Sequence, residues 1–319
     1  MERPRRAAPV VIRSKLVLEV ASELVGLPDF APRQARLQLR PQGAANPWEL
    51  GFIGSDAPSV FDDVAAGTTD LGIINPSDLL TVAYRGAGPF TTPLPVRTIA
   101  VIPSRDAFLF AIHERTGITS LEQIRERHYP LKISIRAQSD HSVYLYTNEV
   151  FRALGFSLDD VVSWGGSIVP HNFPPPSAAA IENGEVDAIF DEAINGWSRF
   201  ALDHGMRFIP LDEPLLQRLE AMGFRRAYVT DTQYPQLPAG TNVPTLDFSG
   251  FPVFTLASTP DLTVRQICAA LEARKDRIPW QGEGPLPLAE MCRNTPEAPI
   301  NVPFHPAAEQ FWRDQGYIA

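Results

Sequence analysis

Two apolar runs of strand length, Arg97–Ile102 and Ala107–Ile112, follow one another with only Pro103–Asp106 between them. Elsewhere strand-like and helix-like runs alternate, a pattern that points to an α/β architecture with largely parallel sheets. Before the pair, the pattern predicts strands at Ala35–Arg40, Glu49–Ile53 and Asp70–Ile74, and helices at Pro58–Ala66 and Pro76–Tyr84, the last with proline in its first turn. After it, Thr119 or Ser120 caps a helix through Arg127, Lys132–Arg136 reads as a strand, and Ser139–Leu154 reads as a helix stopped by Gly155. Ser177–Asn183 is a short helix before the apolar strand Val186–Phe190. Met206–Leu211, Glu213–Met222, Val253–Ala257, Val264–Arg274 and Pro306–Gln315 follow as strand, helix, strand, helix and helix.

Two strands without a helix between them mark where the chain of a two-lobed α/β protein crosses from one lobe to the other, and Met206–Leu211 is the expected return. The first lobe is then discontinuous, residues 1–102 and 210–319, and the second, 103–209, is inserted into it. Each is expected to be a mixed, mainly parallel sheet flanked by helices. The ligand cleft is expected where the carboxyl ends of the strands of both lobes face each other.

The 319 residues suffice for two such units, and with 44% hydrophobic and 20% charged residues the chain can bury a real core. A net charge of −9 argues against nucleic acid and against anionic membranes as partners. No apolar run reaches the ~18–20 residues that cross a bilayer, so no membrane insertion is expected. The chain opens on a basic stretch, but Arg13, Lys15, Glu19 and Glu23 interrupt any apolar signal core. Ile12, Leu16, Val20 and Leu24 fall instead on one stripe of a helix expected to pack. From the residues alone, the reading is a cytoplasmic protein or a processed start.

Cys268 and Cys292 are too few for a disulfide framework and are expected as free thiols, with one bridge as the alternative. The six histidines have no HExxH or other metal-ligand spacing, and the chain has no GxSxG, Walker or GxGxxG motif. No metal, cofactor or catalytic residue is therefore assigned, and the balance of motifs favours binding over catalysis.

Several segments resemble class II periplasmic solute-binding proteins. Ser59–Leu80 (SVFDDVAAGTTDLGIINPSDLL) is similar to that superfamily's unit of small helix, glycine, Asp-Leu-Gly-Ile strand, polar turn and helix. Thr116–Val150, with TGITSLEQIR and KISIRAQSDHSVY, resembles its next unit, and Ser177–Phe190 (SAAAIENGEVDAIF) the one after. Tyr234–Thr245 (YPQLPAGTNVPT) and His305–Gly316 (HPAAEQFWRDQG) resemble segments of the TAXI group, the solute receptors of one branch of TRAP transporters. The Thr-Gly-Gly-rich ligand turn of that group is absent here, and Arg136–Ser139 stands in place of its second glycine-rich run. The resemblance implies the two-lobed type II fold, a small organic acid, amino acid or aromatic acid as ligand, membrane transporter subunits as partners and a periplasmic location.

The turns at strand ends supply the candidate ligand residues. Gly54 and Ser55, with Asp56, close one strand, and Asn75, Pro76 and Ser77 the next; as plain turn or cap residues they would look the same. Ser139, Asp140 and His141 precede a helix N-terminus that favours an anion, or they are ordinary caps. Arg136 is the best partner for a ligand carboxylate, with an interlobe ion pair as the competing role. Of Asp191 and Glu192, adjacent on a strand, at most one faces the cleft, to take an amine or hydroxyl; alternatively they pair with Arg199 or are solvated. Trp197 either stacks on a flat ligand or lies in the core. The expected function is capture of a small polar or anionic molecule by lobe closure. The alternatives are a cytoplasmic enzyme on this fold, similar to dihydroxyphthalate decarboxylases or pyrimidine-precursor synthases, with His141 beside Asp140 as acid or base, and a cytoplasmic ligand sensor.

Overall fold

The computed structural model describes residues 9–27, 32–40, 50–172 and 175–318. Strands β1 (Gln34–Leu39), β2 (Leu50–Ser55), β3 (Leu71–Ile73) and β4 (Val96–Ile102) belong to a first sheet. Strands β5 (Ala107–His113), β6 (Lys132–Arg136), β7 (Ser167–His171), β8 (Ala188–Asp191), β9 (Met206–Phe208), β10 (Arg226–Thr230) and β11 (Asn242–Asp247) form a second, and β12 (Phe251–Leu256) returns to the first. The spatial orders are β1-β2-β3-β12-β4 and β10-β11-β5-β8-β6-β7, with β9 also on β5. Helices flank both sheets, so the chain is α/β with two mixed sheets. Of the strand expected at Glu49–Ile53, Glu49 lies outside the described residues.

Among the described strands, the parallel pairs are β2 with β3 and β6 with β7 and β8. The sheets carry less of it than the alternation of strands and helices suggests, because the crossing strands run against their neighbours. β5 is antiparallel to β8, β9 and β11, and β12 to β3 and β4.

The chain leaves the first sheet between β4 and β5. It does not return at Met206–Leu211, where the return was expected. β9 pairs with the last residues of β5 (Ala111↔Phe208, His113↔Met206), and β11 pairs with the first (Leu246↔Phe108, Asp247↔Ala107). The two share one edge of β5, which keeps the chain on the second sheet until β12. The outgoing and returning segments lie side by side: Gly250 N donates to Ser104 Oγ (2.8 Å), Asp106 N to Ser249 Oγ (3.1 Å) and Phe248 N to the Asp106 carbonyl (3.1 Å). Gly250 is needed at φ +80°, where an added Cβ would lie 2.4 Å from Ser77 Oγ.

Apolar packing is continuous across the two halves. Phe61, Val64 and Phe254 from the first share a cluster with Phe108, Phe110, Tyr146, Phe151 and Phe190 from the second. The ring of Tyr146 lies 5.4 Å from that of Phe108 and 4.9 Å from that of Phe248. Its hydroxyl oxygen is 3.2 Å from both Asp78 Oδ2 and the Asp247 carbonyl, and Arg225 N donates to Asp78 Oδ2 (2.8 Å). Burial raises the Asp78 carboxyl well above its ordinary range, and the Tyr146 phenol with it. A separate cluster on the first sheet holds Ile99, Val253, Val264, Met291 and Trp312 with both cysteines, which are free and buried. Burial pushes each thiol up to about 12.

The expectation of a packed first helix is overturned. Pro9–Val25 is helical, but every side chain described in it is exposed, Ile12, Leu16, Val20 and Leu24 included. Val17, Leu18 and Val25 place apolar groups outside the stripe, so no single face is left to bury. Among the described residues no helix is long and apolar enough to cross a membrane, and no group of His, Cys, Asp and Glu side chains is placed to hold a metal ion.

Candidate ligand-binding crevice

A crevice of 410 Å³ opens between the halves at the carboxyl ends of β2, β3 and β8. Gly54, Ser55, Asp56, Ile73, Ile74 and Asn75 line it from the first half and His141 and Glu192 from the second, with Arg33, Ala35 and Phe251 at its margins. Three hydrogen bonds tie the turns after β2 and β3 to the start of helix Ser142–Ala153. Ser142 N donates to the Asp56 carbonyl (3.0 Å), and Ser142 Oγ lies 2.8 Å from that carbonyl and 3.0 Å from the Asn75 carbonyl. Arg33 clamps Asp56 through Nε (2.9 Å) and a terminal nitrogen (2.7 Å) and reaches Asp140 on the other half (3.0 Å).

That helix starts three residues later than expected. Its cap is His141, whose Nδ1 accepts from Val143 N (3.1 Å). With Nδ1 accepting, a neutral ring carries its proton on Nε2, 3.7 Å from Asp56 Oδ2. Burial lowers the imidazole to about 4, against the pull of Asp56, so the ring is neutral at pH 7.

Arg136 does not serve as the free cation expected for a ligand carboxylate. It is buried, donates from Nε to Asp191 Oδ1 (2.9 Å), pairs with Glu192 and reaches the Asn172 carbonyl (3.2 Å). These partners lie in the second half with it, at the ends of β7 and β8. Asp191 is fully buried, its second oxygen 3.1 Å from His171 Nε2, and His171 Nδ1 is 2.7 Å from Ser134 Oγ. Glu192 faces the crevice. Behind it, Asp106 accepts from Ala107 N (2.8 Å), Ala193 N (2.8 Å) and Ile194 N (3.4 Å) and lies beside the Glu192 carboxyl. Ala193, at φ +56°, holds a sparsely populated conformation that turns its N–H toward Asp106. Burial pushes Glu192 up to about 8, with Asp191 and Asp106 adding to the shift against Arg136, and burial raises Asp106 to about 6. The pair therefore holds a proton near neutral pH, and the crevice wall presents a carboxyl group that can donate.

Other candidates are used elsewhere. Trp197 lies in the core, 1% exposed, and its indole N–H donates to the Glu192 carbonyl (2.7 Å). Pro76 and Ser77 are buried beside the returning segment, where Ser77 N donates to the Ser249 carbonyl (3.1 Å). Asn75 spends its amide group there too, on the Phe248 and Gly250 carbonyls (3.3 and 3.1 Å), while still lining the crevice. Ser139 and Asp140 line a neighbouring surface pocket with Tyr144 and Asn148, and Asp140 is held by Arg33. Sequence reasoning missed Arg33, Asp106 and His171. Arg33 precedes an edge strand and Asp106 sits in the crossing segment, so neither position stands out by spacing. His171 gave no sign beyond residue type.

No family model matches the chain, and no curated protein does. Solved structures similar to it include the alkanesulfonate-binding protein SsuA from Xanthomonas axonopodis pv. citri bound to MOPS, at 17% identity and a TM-score of 0.32 over 69% of this chain and 60% of that one. MatC from Rhodopseudomonas palustris with bound malate is similar at 16% identity and 0.36, over 69% of each chain. The ATP phosphoribosyl transferase HisG:HisZ complex from Thermotoga maritima is similar at 14% and 0.33, over 68% and 72%. The chain thus spans 60% of the length of SsuA.

Proposed function

We propose that this chain is a solute-binding protein of the class II periplasmic type, holding a small polar molecule between its two halves. The observation that carries the reading is the convergence of Gly54, Ser55, Asn75, His141 and Glu192 on one 410 Å³ crevice at the carboxyl ends of strands from both sheets. Open α/β sheets bind ligands at such positions. On the motif resemblance to TAXI receptors, its partner is a TRAP-type membrane transporter and its place the periplasm.

The crevice charges narrow the ligand. Arg136 already pairs with Asp191 and Glu192, and Arg33 serves Asp56 and Asp140. A ligand whose head is neutral or cationic therefore fits better than a bare carboxylate. A second reading, an enzyme working in the same crevice, draws on one observation: a carboxyl near 8 and a neutral imidazole line the same cavity.

Native mass spectrometry of the purified protein, followed by a thermal-shift screen of amines, amino acids, polyols and organic acids, tests the proposal. A ligand that raises Tm by several degrees without turnover is the expected result. Gly54→Phe is expected to remove that shift, since a Cβ at Gly54 meets nothing within 4 Å and the ring would grow into the crevice. Turnover of the hit would favour the enzyme, and an unchanged shift in Gly54→Phe would move the site elsewhere.

A further inference from the structure

A second cavity, of 270 Å³, adjoins the crevice and is lined by Ile73, Ile102, Phe251, Pro279, Trp280 and Gln281. Ile73 and Phe251 are walls of both spaces. Strand register explains the shared wall. Phe251 pairs directly with Ile102, and Ile73 pairs with Val253, two residues along from Phe251. Ile73, Phe251 and Ile102 therefore project from one face of the first sheet, in a row at the end where β3 and β4 finish. The opposite wall is Trp280, on the loop after helix Asp261–Arg274. Its indole N–H donates to the Gly284 carbonyl (3.0 Å). The ring lies so close to Gly282 that a Cβ there would fall 2.1 Å from a ring carbon. The loop thus holds an aromatic plane in place over an apolar floor.

We propose that this cavity is the apolar half of the ligand site, taking an aromatic ring or branched aliphatic tail whose polar head lies between Ser55, His141 and Glu192. The inference rests on the reading of the crevice as a ligand site. The space exceeds the ~150 Å³ of an apolar cavity that takes up benzene. Its floor and roof are hydrocarbon and indole, with Gln281 the one polar side chain among its lining residues. Polar anchors fix a ligand's orientation and apolar walls supply most of the buried area, the division of labour found in small-molecule sites.

The test is calorimetric titration of the full chain with three pairs that differ by a phenyl ring: ethylamine and 2-phenylethylamine, alanine and phenylalanine, propionate and 3-phenylpropionate. In whichever pair binds, the phenyl member is expected to bind about tenfold more tightly or better. Trp280→Ala is expected to erase that advantage and leave the smaller member's affinity unchanged. Gly282→Val, which displaces the indole without removing it, is expected to reduce the advantage. Equal affinities within every binding pair, or an advantage that survives Trp280→Ala, overturn the apolar subsite and leave the crevice standing. Binding by no member of any pair overturns the subsite as well, and the wider screen with Gly54→Phe then decides the crevice by itself.

Discussion

Two groups of buried carboxyls can be set side by side. Asp78 and Asp247 lie in the contact between the halves with Tyr146 and Arg225, while Asp191 and Glu192 pair with Arg136 and Asp106 lies behind Glu192. Burial raises Asp78 and Asp247 in the first group and Glu192 and Asp106 in the second. By pKa alone the two are equally good candidates for a site. They differ in what they face. Asp78 is enclosed by Tyr146, Arg225 N and the apolar cluster that joins the halves, and Asp247 borders a pocket of only 110 Å³, whereas Glu192 forms part of the wall of the 410 Å³ crevice. A perturbed carboxyl marks a site when it opens on a cavity large enough for a ligand; otherwise it marks a seam.

The largest effect that separates the two groups is expected from Arg136→Met. It leaves two or three carboxyls buried without their cation, at a cost of about 3–5 kcal/mol of stability in denaturant titrations. A cost under about 1 kcal/mol would mean that the cluster is held by other contacts.

Glu192→Gln is expected next, through pH. The wild-type carboxyl titrates at about 8 folded, against an ordinary 4.5 unfolded. The folded state therefore holds the extra proton, and stability falls as pH rises from roughly 4.5 to 8. His141 acts in the opposite sense. At about 4 folded against 6.5 unfolded, it lowers stability as pH falls through that window. Glu192→Gln should flatten the loss on the alkaline side and stabilise the protein by about 1–3 kcal/mol at pH 8, and it should weaken ligand binding. Thermal melts from pH 4 to 9 read the slope, and an unchanged slope removes Glu192 as its source.

Tyr146→Phe is expected to cost about 1–2 kcal/mol, by removing the hydroxyl that reaches Asp78 beside Arg225 N, and to leave ligand affinity unchanged. Lost affinity would make the seam part of the site. The smallest effect is expected from Trp197→Phe, which drops one N–H···O bond behind Glu192: about 1 kcal/mol, with affinity within twofold of wild type by calorimetry.

The α/β class and the crossing between Ile102 and Ala107 were legible because buried central strands read as unbroken apolar runs, such as Phe108–Ile112. The return was not, because β10 and β11 are short and polar at their outer ends, and the pairing of β11 with β5 is a non-local contact that spacing does not reveal. The turn residues of the crevice could be named because strand ends are where α/β proteins bind. Which of them are spent on structure depended on contacts distant in sequence: Asn75 with Gly250, Arg136 with Asp191 and Glu192, and Arg33 with Asp140.

Amide chemical-shift mapping with the best ligand of the screen tests the central claim most directly. The largest shifts are expected at Gly54, Ser55, Asp56, Asn75, His141 and Glu192, with the amides around Asp78, Tyr146 and Arg225 moving little. Shifts concentrated around that second group, or on a surface remote from both, would contradict a ligand held between the two sheets.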